Sequence, residues 1–378
     1  MSFLEVERDT CDRFLPGLRG QLAEIPLLEL ERAGSPGIGL FRAAGGAGLV
    51  VPQVHHGSGA TAVEAVRLTR ALAACSPSLA IAATMHQFSV ASLVALAESS
   101  GGFEWMLLEG VAVDGRLMAS GFAEGNPGQG ILVPTMKARR DGGRWLVSGA
   151  KRPCSLSRSM DLLTASIAMP GDDGGSRLGV ALIPAASEGL RVEPFWGSWV
   201  LAGAESDAVI LDDVELHPDL VVYPEIGLDG RLDDLQTIGF VWFELLVTAC
   251  YLGVAAALVE RALHRGRGPV TERAALATTL EGAALMLDGA ARALDDGDGD
   301  GGQDALGRAL VVRFAAADAI AHAVRGAVEL LGGMAFVSSS EVGYLAAASH
   351  AIAFHPPSRT SVAAGLADWF AGRPLVLG

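Results

Sequence analysis

Closely spaced cysteines are missing from this sequence. The four present, Cys11, Cys75, Cys154 and Cys250, lie far apart, with no CxxC pair and no cysteine–histidine ligand spacing. Neither a disulfide framework nor a zinc site is expected, and reduced thiols in a cytosolic protein are the plain reading. Basic residues are also scarce: 28 Lys and Arg stand against 43 Asp and Glu, a formal net charge of −15. Nucleic acids and anionic membrane surfaces both select basic faces, so both are disfavoured as partners. The first residues, "MSFLEVERDTCDRF", alternate charge with apolar side chains. They hold no continuous apolar run of the secretory kind, and a cytoplasmic location is expected.

What the chain does have is apolar mass. Half of its 378 residues are hydrophobic and 19% are charged, which suits a compact protein of two or three packed units with a large core. The stretch "TIGFVWFELLVTACYLGVAAALV" (237–259) is long enough to span a bilayer, but it carries Glu244, which is costly in lipid. No second stretch of its kind follows in the sequence, and a central helix buried in a bundle or at an oligomer interface is expected there.

Three regions differ in character. Residues 1–115 read as helical, with apolar helical runs over 61–98 broken at Ser76 and Pro77. Residues 116–222 hold short apolar runs separated by turn signals, among them Asp141-Gly142-Gly143 at a hairpin position, and predict a mainly antiparallel sheet. Residues 223–378 read as helical again, interrupted by "DDGDGDGG" (295–302), an exposed loop that lacks the closing glutamate of an EF-hand. The expected class is α+β: a helical domain, a middle β-domain and a C-terminal helical bundle.

That order of regions, together with several motifs, resembles the acyl-CoA dehydrogenase superfamily of flavoproteins over nearly the whole length. "GLVVPQVHHGSGA" (48–60) is similar to its N-terminal "GL…VPEEYGGxG" segment, and "GFAEGNPGQG" (121–130) stands where its flavin segment lies. "GRWLVSGAKRPCSLSRSMD" (143–161) resembles its hairpin and "DAVILDDVELHPDLVV" (207–222) the closing strand. "ALVERALHRGR" (257–267) and "AVELLGGMAF" (327–336) take the places of its flavin-anchoring helix and Gly-Gly turn. The resemblance implies a flavin, FAD or FMN. Phe122 and Ala123 would line its ring, Ser155 would meet the ring edge, and Pro153 would replace a usual aromatic wall. Gln129 would lie near the pyrophosphate, Arg265 would contact the pyrophosphate, usually that of the neighbouring subunit, and Glu329, Gly332 and Gly333 would form the Gly-Gly turn of the flavin site. Glu329 replaces a usual glutamine and, as an acid, opposes a phosphate. A homodimer or homotetramer is implied.

The superfamily's dehydrogenases remove a proton with a glutamate. Its two usual positions fall here on Pro356, beside His355, and on Phe243, beside Glu244, so neither usual base is present. The stretch "SHAIAFHPPSRTS" (349–361) instead resembles the branch of two-component flavin monooxygenases similar to dibenzothiophene monooxygenase, which implies histidine and serine near the flavin. His355, Ser155 and His86 fit those parts, since an imidazole titrating near neutrality can hold or donate a proton. His86 also reads as a core histidine, and His355 as a helix-terminal cation.

Three functions stay open. The preferred one is a monooxygenase or hydroxylase that receives reduced flavin from a separate reductase and acts on a small apolar molecule. The second is a dehydrogenase of acyl thioesters, on CoA or an acyl carrier protein, with Glu244 as base. The third is a scaffold that has lost its flavin.

Overall fold

The computed structural model describes residues 2–100, 102, 104–125, 134–171, 175–224, 232–297 and 302–377. The N-terminal region winds into α1 (Glu5–Phe14), α2 (Leu18–Ala23), α3 (Leu27–Leu30), α4 (Gly37–Ala43), α5 (Ala62–Cys75), α6 (Pro77–Ser100) and α7 (Glu104–Asp114). The strands follow: β1 (Met118–Gly121), β2 (Lys137–Asp141), β3 (Arg144–Cys154), β4 (Leu162–Pro170), β5 (Ser176–Pro184), β6 (Leu190–Glu193), β7 (Asp207–Leu216) and β8 (Val221–Val222). The chain closes with α8 (Asp234–Arg265), α9 (Val270–Asp295), α10 (Gln303–Ser338), α11 (Ser340–Ser349) and α12 (Arg359–Phe370). This is the α+β architecture that the sequence predicts.

The described strands form one sheet in the order β6-β7-β3-β2-β4-β5-β8, with β1 pairing parallel to β4. Most other pairings are antiparallel; the β2–β4 contact is parallel. Asp141 pairs with Arg144, which leaves Gly142-Gly143 as a two-residue hairpin loop. Gly142 sits at φ 57°, the left-handed geometry that such loops require. Residues flanking the ends of β1 and β3 share a cavity with α6 and α8, and that junction becomes the site.

Helix α8 is the molecule's axis. Asp233 opens it, its side chain accepting from the Gln236 N–H, and Gly266 in the left-handed region closes it. Its apolar residues run all round, as suits a helix enclosed by others: α5, α6, α9, α10 and α11 pack against it. Gly253 permits the closest of these approaches, because a Cβ there would lie 2.3 Å from the Arg70 carbonyl oxygen on α5.

Among the described residues three helices, α6, α8 and α10, are long and apolar enough by length and composition to cross a membrane, which corrects the expectation that 237–259 has no later counterpart. In α8 the apolar window is 94% buried within the chain, whereas in α10 only 33% is. Helix α10 bends at Gly332, whose φ of 80° breaks the helical path at the Gly-Gly pair. Part of the "DDGDGDGG" loop, residues 298–301, lies outside the described residues.

Candidate active site

A cavity of about 370 Å³ opens where α6, α8, the β1 and β3 ends and the segment after α11 converge. Helix α8 presents Gln236, Phe240, Phe243 and Tyr251 to it. Their spacing of four, three and eight residues keeps them on one helical face. Helix α6 supplies Phe88, whose ring meets that of Phe243 edge-on at 5.3 Å. The opposite wall comes from the sheet, through Phe122 and Ala123 after β1 and Pro153 and Ser155 at the β3 end. Hydroxyls dot this wall: Ser120 and Thr164 line it, and the Ser155 Oγ lies 2.9 Å from the Ser206 Oγ.

His355 completes the cavity. A short 3₁₀ turn over His350–Phe354 ends at His355 in extended conformation, and two prolines follow. Proline provides no N–H and disfavours helix in the residue before it, so the turn stops there and the imidazole projects into the cavity rim. Its Nε2 lies 2.7 Å from the Tyr251 Oη, and its ring meets Phe243 edge-on at 6.1 Å. Burial and the nearby Arg313 guanidinium hold its pKa down at about 3, so the ring is neutral at physiological pH. Burial drives the Tyr251 phenol the other way, well above its ordinary value, and it stays protonated.

Two sequence candidates do not reach this cavity. His86 is fully buried under α4 and β1, where Nε2 lies 2.8 Å from the Ala47 carbonyl oxygen and Nδ1 accepts from the Met118 N–H at 2.9 Å. Both ring nitrogens are thus engaged with backbone, and burial lowers the pKa to about 4. This is the core-histidine reading. Glu244 does not line the cavity, although it shares a stripe of α8 with Tyr251; its carboxylate turns toward α10 instead. It is fully buried, and both carboxylate oxygens bond to Arg313 Nη1, at 2.9 and 2.8 Å. Burial pushes its pKa up to about 7 while Arg313 pulls against that shift. A carboxylate held in this way is not free to act as a base on a ligand in the cavity. Glu104 and Asp219 do line the cavity, at its α7 and β8 end, where Glu104 accepts from the Ser100 hydroxyl.

Isobutylamine N-hydroxylase of Streptomyces viridifaciens is 50% identical to this chain over 378 residues, covering 99% of this chain and 100% of that one. The chain belongs to the acyl-CoA dehydrogenase superfamily of flavoproteins. Within that superfamily it is a flavin-dependent monooxygenase. Among solved structures, the nitrososynthase of Micromonospora carbonacea var. africana superimposes with a TM-score of 0.81 at 20% identity, over 97% of this chain and 96% of that one. FMN-bound TdsC of Paenibacillus sp. A11-2 superimposes with a TM-score of 0.80 at 17% identity, over 99% and 98%. These two likenesses concern the fold. No protein-family model matches the chain.

The residues present fit the superfamily's flavin. The cavity is mostly apolar with hydroxyls along the sheet wall, a lining that suits a flat ring with polar edges. Gln236, also in the lining, has a buried Oε1 with no partner among the described residues. Phe122, Ala123, Pro153 and Ser155, which the resemblance assigns to the flavin ring, line the cavity wall. Arg265, Glu329, Gly332 and Gly333 do not line the cavity. They gather at the far end of α8, about 20 Å along the helix from Tyr251, where Arg265 Nη1 reaches the Leu331 carbonyl at 3.4 Å and Glu329 is exposed. Gln129 lies outside the described residues.

Tyr251, Ser206 and Arg313 escaped sequence reasoning. Tyr251 sits within an apolar helical run, and one signal for it was available. It lies eight residues after Phe243, on the face to which the superfamily's alternative base position belongs.

Proposed function

We propose that this protein N-hydroxylates small primary aliphatic amines, using reduced flavin delivered by a separate reductase. The observation that carries the reading is the end-to-end 50% identity with isobutylamine N-hydroxylase. The cavity supports it on chemical grounds. Its lining is apolar around Phe88, Phe240 and Phe243, where the neutral amine, whose lone pair is the nucleophile in N-oxygenation, is favoured, while Glu104 and Asp219 stand at its α7 and β8 end. His355 is neutral as well, so the imidazole itself does not repel residual ammonium character. With Nε2 engaged by Tyr251, Nδ1 is the ring atom left to exchange a hydrogen bond with the substrate, and a pKa held at about 3 replaces the near-neutral titration expected from the sequence with a neutral hydrogen-bonding role. Phe88, Phe240 and Phe243 limit water around it. Bound reduced flavin supplies the activation of oxygen.

The dehydrogenase alternative has less support, because Glu244 is committed to Arg313. The test is to supply purified protein with reduced FAD or FMN, oxygen and isobutylamine, and to follow the hydroxylamine by mass spectrometry. Hydroxylamine formation, with oxygen uptake stimulated by amine, is the expected result, and the more effective flavin identifies the cofactor. Oxygen uptake indifferent to amines, with no hydroxylamine, overturns the reading.

A further inference from the structure

The turn that carries His355 has little packed behind it. A second cavity of about 250 Å³, lined by Arg313, Phe314, Ile352, Pro357 and Arg359 among others, also borders the turn. The turn thus borders two cavities, and side-chain packing alone does not fix it. Its backbone is also short of donors, since Pro356 and Pro357 lack the N–H groups that would satisfy carbonyls in the turn before them.

Arg313 supplies those donors. Projecting from α10 and only 2% exposed, it directs Nη2 to the Ile352 carbonyl at 3.3 Å and to the His355 carbonyl. Nη1 reaches the Pro356 carbonyl at 3.2 Å as well as both oxygens of Glu244. Glu244 and Tyr251 are seven residues apart, so one stripe of α8 grips the turn twice, through the guanidinium at its backbone and through the phenol at its imidazole.

We infer that Arg313, charge-balanced by Glu244, is a positioning residue that fixes the His355 imidazole against the cavity. The inference rests on the reading of His355 as a group that meets the hydroxylase substrate. It gives Glu244 a different part from the base expected of it: its carboxylate neutralises and aims the guanidinium.

Two variants test this. Arg313→Lys keeps the charge but offers one nitrogen where two are used, and the pair Glu244→Met with Arg313→Met removes both charges together, a replacement that interiors tolerate better than a single loss. The first readout is the imidazole ¹⁵N spectrum of the flavin-free protein, with His355 assigned through His355→Asn. The second is hydroxylamine formed per oxygen consumed. In either folded variant the His355 signals are expected to shift or broaden while those of His86 stay in place. Product per oxygen is expected to fall about fivefold or more with KM for isobutylamine changed less than about twofold. A folded variant with unmoved His355 signals overturns the inference, and so does a chain that unfolds in both variants, which assigns Arg313 to stability alone. If the unaltered protein leaves isobutylamine untouched, the hydroxylase reading fails, and the ¹⁵N comparison still decides the positioning.

Discussion

His355 and His86 show how the same side chain serves two ends. Each has a lowered pKa, yet only His355 has a ring nitrogen to spare for a ligand, and its one side-chain bond is to Tyr251. Tyr251→Phe deletes that bond and leaves the ring's bulk. A neutral hydrogen bond is worth about 1 kcal/mol, so turnover should fall about five- to tenfold, with a larger share of oxygen released as hydrogen peroxide. Steady-state assays with a peroxide probe check this, and unchanged coupling would exclude the phenol from the site's geometry. His86 makes a prediction about stability instead. Above its ordinary pKa of 6.5 both folded and unfolded chains hold it neutral. As pH falls toward the folded value of about 4, only the unfolded chain takes up the proton, and stability is lost. His86→Gln should destabilise the protein near pH 7. Its deficit in urea unfolding should then shrink by on the order of 2–3 kcal/mol between pH 6.5 and 4, because only the native histidine loses this contribution. A deficit constant with pH would contradict the linkage.

Among the elements, legibility in the sequence followed periodicity. The apolar run of α8 and the Gly-Gly hairpin between β2 and β3 are readable because each carries its own local signal, a long hydrophobic stretch in one and a left-handed turn in the other. Strand β6, with its half-exposed "LRVE", and the two-residue β8 carry no such signal and exist through pairing with β7 and β5. The site divides in the same way. Ser155, Pro153 and His355 are anchored by turns and prolines that the sequence displays, and they line the cavity. The direction of Glu244 does not follow from helical register, since Tyr251 on the same stripe lines the cavity; it follows from its partner Arg313, 69 positions away on another helix. No spacing rule connects the two, since their meeting is set by how α8 and α10 pack. The 3₁₀ turn at 350–354 repeats the lesson on a smaller scale: the prolines mark where it ends, but only the packed structure shows what satisfies its carbonyls.

At the scale of the molecule, the distribution of apolar surface argues for self-association. Beyond the Gly332 bend, α10 leaves Met334 75% and Val337 80% exposed, with Phe336 beside them. Arg265 and Glu329 adjoin this face, and Arg265 is the residue for which superfamily membership implies contact with a neighbour's flavin. A chain with a net charge of −15 repels its copies at long range, so a stable oligomer needs an apolar contact of this kind to hold it. We expect a dimer or tetramer in solution. Placing charge at the centre of the face, as Met334→Glu with Val337→Lys, should lower the mass seen by sedimentation equilibrium and weaken flavin binding together, while His355 ¹⁵N signals stay in place because the cavity is remote. Loss of assembly with undiminished flavin affinity would show that each subunit holds its flavin alone. A native protein that sediments as a monomer and binds flavin tightly would remove this face from the account altogether, leaving its exposed methionine, valine and phenylalanine without a partner from a second copy.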